Sequence, residues 1–257
     1  NTSYLERVKS RDHTEKMLHF MGAEISSKCF DNGSNKVELV GLPYLKGKHF
    51  NIPNDPSSAA FPSAAALIIP NSEIKIKNVC LNALRTGFYE TIKEMGGYIK
   101  FINKKHISGE VVGDIQVRYS KLKGVVVPEK RVPSMIDEFP IFCIVSCFAE
   151  GETVMTGIKD LRNKESDRIK EMVQNLNKCG FSVKSTSNSI SIIGNKKVNP
   201  GKEIVIDSKF DHRIAMSFLC LGLLMENGIK VKNAETINSS FPSFYNIMKS
   251  LGANLKK

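Results

Sequence analysis

The chain has 257 residues, 41% of them hydrophobic and none of them Trp, enough apolar material for one large core or two smaller ones. Its 37 Lys and Arg outnumber 26 Asp and Glu, a formal charge of +11 that admits a nucleic-acid binder, a membrane-surface protein or an enzyme of anionic metabolites. The excess Lys is scattered, with only short runs ("KIK", "NKKH", "NKK"), which reads as solvated surface and argues against nucleic acid.

The longest apolar stretch, "MSFLCLGLLM", is too short to span a bilayer, and no signal peptide opens the chain. A cytoplasmic protein without membrane partners is expected. Cysteines at 29, 80, 143, 147, 179 and 220 form no CxxC pair and no His/Cys set at metal spacing, so no structural metal is expected. Cys143 and Cys147 lie inside "IFCIVSCFA" and read as small buried residues. The first residue is Asn1, and the expectation is that the natural start lies upstream.

In chain order, the first element predicted is a helix, "RDHTEKMLHFMGAEI", closing at Gly22 and followed by the strand-like "KVELVG". It reads as the later half of a unit, so residues 1–50 are expected to be the tail of a preceding domain. "YLKGKHFNIPNDPSS" is the crossover into a second domain over 51–257. There, three segments follow one script: a helix rich in small apolar residues, a β-branched strand, an amphipathic helix ending at Gly, and another strand. The first runs "SSAAFPSAAALIIP", "SEIKIKNV" and "RTGFYETIKEMGGYIKFI". The second runs "DEFPIFCIVSCFAEG", "TVMTGIKDL" and "KESDRIKEMVQNLNKCGFSVKS", and the third "DHRIAMSFLCLGLLMENG", "IKVKNAE" and "SSFPSFYNIMKSLGANL". Gly97, Gly180 and Gly252 are predicted to cap the amphipathic helices in the left-handed conformation. The sum is three α/β units around one core.

Within "LRNKESDRIKEM", Ile169, Met172, Val173 and Leu176 recur at helical spacing. Lys164 and Arg168, four apart at the expected helix start, repel each other and oppose the helix dipole. An anion held between them removes both objections. The same helical wheel puts Glu165 near the middle of the apolar face, where a carboxylate has its pKa raised and suits proton transfer. The plainer reading of this run is a solvated first turn.

Asp137 opens the first helix of the second unit, and Asp211, His212 and Arg213 hold the equivalent place in the third. If these helix N-termini converge, they favour anions, with Arg213, Arg168 and Lys164 adding full charges. Asp137 is equally a helix N-terminal carboxylate, Asp211 reads as a structural N-cap, and His212 as an ordinary half-buried histidine.

"SRDHTEKM", "DPSSAAFP", "PSMIDEFPI", "LRNKESDR" and "DHRIAMSF" resemble, in the same order, segments of the 5-enolpyruvylshikimate-3-phosphate synthase family, most of all its glyphosate-tolerant bacterial class. The resemblance implies an α/β (α+β) fold, the enolpyruvyl transferase inside-out α/β barrel built from repeated βαβαββ units. It implies transfer of the enolpyruvyl group from phosphoenolpyruvate to the 5-hydroxyl of shikimate 3-phosphate, with no cofactor and no metal. By motif, Asp137 binds the shikimate hydroxyls and helps deprotonate the attacking one. Glu165 moves the proton on and off the phosphoenolpyruvate methylene, and Lys164 touches both substrates. Arg168 and Arg213 hold phosphoenolpyruvate, Arg11 contacts the shikimate moiety, and His212 lies beside the site.

Two departures stand out. The family's amino-terminal motifs are missing, so the chain is expected to hold part of the active site and to be inactive alone. Ser239 in "NSSFP" replaces a Lys common in the family. The competing readings are a non-catalytic relic or split-protein fragment that keeps the fold and an anion pocket, and an RNA-binding α/β module.

Overall fold

The structure, a computed structural model, describes residues 1–194 and 203–256. The basic run at 195–197 lies outside the described residues. The chain opens with strand β1 (Thr2–Glu6), helix α1 (His13–Phe20) and strands β2 (Ile25–Cys29) and β3 (Asn35–Leu39). These strands form an antiparallel sheet in the order β1-β3-β2. Neither β1 nor β2 was legible in the sequence, because both are exposed almost throughout and carry no alternation of buried residues.

The first unit follows with α2 (Pro56–Ile68), β4 (Glu73–Cys80), α3 (Gly87–Glu94), β5 (Tyr98–Ile107) and β6 (Glu110–Arg118). The second has β7 (Val126–Val127), α4 (Phe139–Ser146), β8 (Glu152–Thr156), α5 (Arg168–Lys178), β9 (Ser182–Ser185) and β10 (Ser189–Ile193). The third has β11 (Ile204–Asp207), α6 (His212–Gly222), β12 (Ile229–Lys232), α7 (Ile237–Ser240) and α8 (Phe244–Ser250).

The first two units share one topology; the third follows it through its first helix and parallel strand pair, but the closing strand expected after its last helix is absent among the described residues. The first helix of each is a crossover between parallel strands: α4 joins β7 to β8, α6 joins β11 to β12, and α2 joins the Asn54 bridge to Val79 of β4. After the second helix, a hairpin returns antiparallel, placing β6 on β4 and β10 on β8.

Burial explains the layering. α2 and α4 are apolar nearly all round and almost wholly buried, as is α6 from Ile214 to Leu221, so these three pack on one another at the centre. Strands such as β8 and β10 alternate buried and accessible positions, one face on the core and one in solvent. Helices lie inside and sheets outside, as expected of a repeated-unit barrel.

Two local expectations are corrected. Gly180 (φ 90°) and Gly252 (φ 97°) cap their helices as predicted, but after α3 the left-handed residue is Gly96 (φ 87°), not Gly97. Gly97 is required for space instead: a Cβ there meets the Ile92 side chain and, at 2.9 Å, the Ile92 carbonyl oxygen. The helix expected across "KESDR" starts only at Arg168, capped by the Asp167 carboxylate on the Lys170 N–H at 3.0 Å. A 3-10 turn at Lys159–Asn163 precedes it, and Lys164 is extended (φ −92°, ψ −157°).

Candidate active site

The N-termini of α2, α4, α5 and α6 meet at one end of the body, and side chains lace them together. Asp55 caps α2 by accepting from Ser57 N at 3.2 Å and Ser58 N at 2.9 Å, with Pro56 in the first turn, where no N–H is needed. Asp211 caps α6 by accepting from Arg213 N at 2.9 Å. The Ser57 hydroxyl of α2 donates to Glu138 at the head of α4. Arg213 Nη1 of α6 donates to the Asp137 carbonyl at 3.1 Å, and Arg168, first residue of α5, reaches Asp211.

Asp137 sits one residue before the α4 N-cap, so its side chain is free to face four cations. Arg11 Nη2 lies 2.5 Å and Arg213 Nη2 3.7 Å from Oδ2, while Arg168 Nη1 lies 3.6 Å and Lys164 Nζ 3.9 Å from Oδ1. Burial pushes this carboxyl up, but Arg213, Arg11 and Lys164 together overrule it and hold it below the usual carboxylate range. Every residue expected to bind substrate therefore converges on one point.

Arg168 organises the floor. Its side chain is 1% exposed, and Nε donates to Asp211 Oδ2 at 2.8 Å while Nη2 donates to Glu165 Oε2 at 2.6 Å. Nη1 is buried, aimed toward Asp137 and without a hydrogen bond. A buried guanidinium nitrogen left unmatched is costly, and an incoming oxyanion supplies the missing acceptor.

Two expectations fail in detail. Lys164 and Arg168 do not share a helix face, since the helix starts at Arg168. What lies between them here is the Asp137 carboxylate. Glu165 does not lean on an apolar wall: it belongs to the loop before α5, and its side chain is 48% exposed. Its position is set by the Arg168 fork. His212 is half-buried at the start of α6; burial first, then Arg213, pushes its imidazole below the ordinary value, so it is neutral at physiological pH.

The sequence reading missed two side chains. Arg85 Nη2 donates at 2.9 Å to both Asp55 and Ser57, and Glu138, 3% exposed, ends that line. Asp211 is the N-cap expected, and in addition the buried counter-ion of Arg168. The available signal was the repeat itself: Asp55, Glu138 and Asp211 are the N-cap residues of α2, α4 and α6.

Sequence spacing also hid a His13, Cys80 and Glu110 grouping, whose ligand atoms lie within 4.8 Å of one another. Glu110 is already engaged by His13 Nδ1 at 2.5 Å, Asn82 Nδ2 at 3.2 Å and Lys16 Nζ at 3.3 Å. With Lys16 and Arg85 both beside it, this cluster suits a polar tie between α1 and β6 rather than a divalent cation. No helix among the described residues is long and apolar enough to cross a membrane. All six cysteines are free, and only Cys29 is exposed.

A family model described as EPSP synthase (3-phosphoshikimate 1-carboxyvinyltransferase) matches residues 2–248. The 3-phosphoshikimate 1-carboxyvinyltransferase of Persephonella marina is 47% identical over 254 residues, 98% of this chain and 58% of that protein. Its counterpart from Paramagnetospirillum magneticum is 44% identical over 254 residues, 99% of this chain and 57% of that one. Among solved structures, EPSP synthase from Acinetobacter baumannii superposes with a TM-score of 0.88 at 38% identity, over 97% of this chain and 56% of that one. The enolpyruvyl transferase NikO from Streptomyces tendae, at 12% identity and TM-score 0.74, shares the fold. The chain thus spans little more than half the length of the relatives it matches, and it belongs to the EPSP synthase family.

Proposed function

We propose that this chain carries the second domain, over 51–257, of an enzyme that transfers the enolpyruvyl group of phosphoenolpyruvate to the 5-hydroxyl of shikimate 3-phosphate, with residues 1–50 the remnant of the first. The observation that carries this reading is the single carboxylate of Asp137 ringed by Arg11, Lys164, Arg168 and Arg213. A carboxylate held below its usual range stays ionised at neutral pH and accepts hydrogen bonds from sugar hydroxyls; the cations that lower it also weaken it as a base, so it takes the proton of the attacking hydroxyl once the substrate anions draw those cations away.

The roles are those the family resemblance implies. Arg168, through its unmatched Nη1, and Arg213 take the phosphate and carboxylate of phosphoenolpyruvate, and Arg11 contacts the shikimate moiety. Lys164 stands between the two substrates. As the 5-hydroxyl oxygen bonds to C2, Glu165 delivers a proton to the methylene carbon. It takes a proton back from the resulting methyl as the C–O bond to phosphate breaks. His212, neutral, borders the phosphoenolpyruvate end. The enzyme works in the cytoplasm.

The portion of the relatives that this chain does not span supplies the rest of the grip, so the chain by itself binds substrates weakly and does not turn over. Catalysis between two such halves depends on holding both reactants in register. The test is phosphate release from phosphoenolpyruvate and shikimate 3-phosphate by the chain alone and with a relative's amino-terminal portion added, using Glu165→Gln as control. Silence alone and Glu165-dependent release with the added portion support the reading. Failure of isothermal titration to detect either substrate on any combination removes it.

A further inference from the structure

We infer that Glu138 is a positioning residue for Asp137: a buried carboxyl that ties the turn before α4 to the N-terminus of α2, and that stays uncharged so that Asp137 is the single negative charge of the pair. This rests on the reading of Asp137 as the base of the proposed site.

The repeat exposes the anomaly. Asp55 and Asp211, at the N-caps of α2 and α6, each cap their own helix and each pair with an arginine, Arg85 and Arg168. Glu138 holds the same place on α4, is one methylene longer, and makes no side-chain cap. Among the described residues it forms no ion pair. Its side chain crosses to the Ser57 hydroxyl of α2, which in turn accepts from Arg85 Nη2 at 2.9 Å. A buried acid that gives up both its own helix and an arginine partner has been recruited for another contact.

That contact fixes the segment carrying the base. Glu138 N donates to the Met135 carbonyl at 2.9 Å and Phe142 N donates to the Glu138 carbonyl at 2.8 Å, so the backbone here is held on both sides. With the Glu138 side chain anchored on α2, the Asp137 carboxylate is turned toward the four cations and its carbonyl toward Arg213.

The charges around Glu138 agree with an uncharged acid. Facing it are Arg85, Asp55 and Tyr89 from the first unit, Arg213 from α6, and Asp137 beside it. Tyr89 is spoken for, donating to the Pro56 carbonyl at 2.7 Å. Burial raises the Glu138 carboxyl above its ordinary value; Ser57 and Arg213 pull it back in part, and the Asp137 charge pushes it up again. Its neighbour is held down by the cations. Two adjacent carboxyls driven apart in this way divide into an ionised base and a neutral partner. Ionising Glu138 places a second negative charge next to Asp137 and weakens the cluster's hold on an anion.

The test follows both carboxyl carbons by carbon-13 NMR across pH in the chain as it stands, alongside calorimetric titration with phosphoenolpyruvate. Wild type, Glu138→Gln, which keeps the shape and removes the proton equilibrium, and Ser57→Ala, which leaves the Asp55 cap in place, are compared at matched melting behaviour. Expected is a Glu138 signal still protonated where Asp137 is already ionised. Phosphoenolpyruvate affinity in wild type then falls about tenfold once Glu138 ionises. Glu138→Gln keeps the neutral-pH affinity without that fall, and Ser57→Ala, which removes a hydrogen bond to the ionised form, brings the fall to higher pH. The inference is overturned if both carboxyls titrate together in the ordinary range, or if Glu138→Gln shows the same alkaline fall. Split titration with no phosphoenolpyruvate binding even when a relative's amino-terminal portion is added upholds it and removes the proposed function. Binding without a split does the reverse.

Discussion

The two regions of this molecule are held by different forces. All members of the continuous hydrophobic core lie between Ala59 and Leu255, whereas among apolar side chains in residues 1–50 only Ala23 is buried. α1 buries nothing, and Tyr4, Leu5, Leu42 and Tyr44 stand in the open. What attaches this end to the body is polar: Arg11 to Asp137, Asn82 to Asp12 at 2.7 Å, and the Glu110 cluster reached by His13 and Lys16. Apolar burial is non-directional and additive, while polar ties hold orientation at small net free energy. The first region is therefore placed by the second, and Arg11 is placed with it.

Breaking the body has the largest effect. Phe142→Ala, which removes a fully buried ring packed edge-on to Phe88 at 6.4 Å, lowers stability in urea unfolding by about 3–5 kcal/mol. Arg168→Ala comes next at about 3 kcal/mol, because it leaves Asp211 buried without its counter-ion. Recovery of part of that loss in an Arg168→Met, Asp211→Asn double variant is the check that pairing, not packing alone, is responsible.

Cutting the polar ties separates the two regions. Arg11→Ala changes global stability by under about 1 kcal/mol, since this side chain is 42% exposed, yet it speeds amide exchange in β1–β3 while α2, α4 and α6 stay protected. Acid does the same. Asp137 and Asp12 are both held below the usual carboxylate value in the folded chain. Their contribution is complete above that value and is lost as pH falls through the lowered one, so exchange in β1–β3 rises before the body unfolds. Simultaneous loss of protection in both regions defeats this division. The smallest effect is Tyr44→Ala, within about ±0.5 kcal/mol because its ring is 84% exposed.

Much of this was legible in the chain itself. The runs "SSAAFPSAAALII", "FPIFCIVS" and "IAMSFLCLG" have no polar face, which requires burial on all sides and so made them central helices. Aspartate at 211, and glycine at 180 and 252, marked helix ends because their local chemistry favours caps. The motif resemblance named Asp137, Lys164, Arg168, Arg213 and Arg11, and the fold brings all five together.

What failed was whatever depended on partners far along the chain. The helical wheel drawn through Glu165 assumed a helix that starts at Arg168, and the turn before it is dictated instead by Arg162, which binds Asp167 at 2.8 Å and the Ser187 carbonyl at 2.9 Å. Glu138 reads as one more helix-start acid until Ser57, 81 positions away, is seen beside it. Local pattern determines where an apolar face must be buried, because burial scales with each residue's own surface. Which carboxyl keeps its charge is a sum over neighbours that only the tertiary structure assembles.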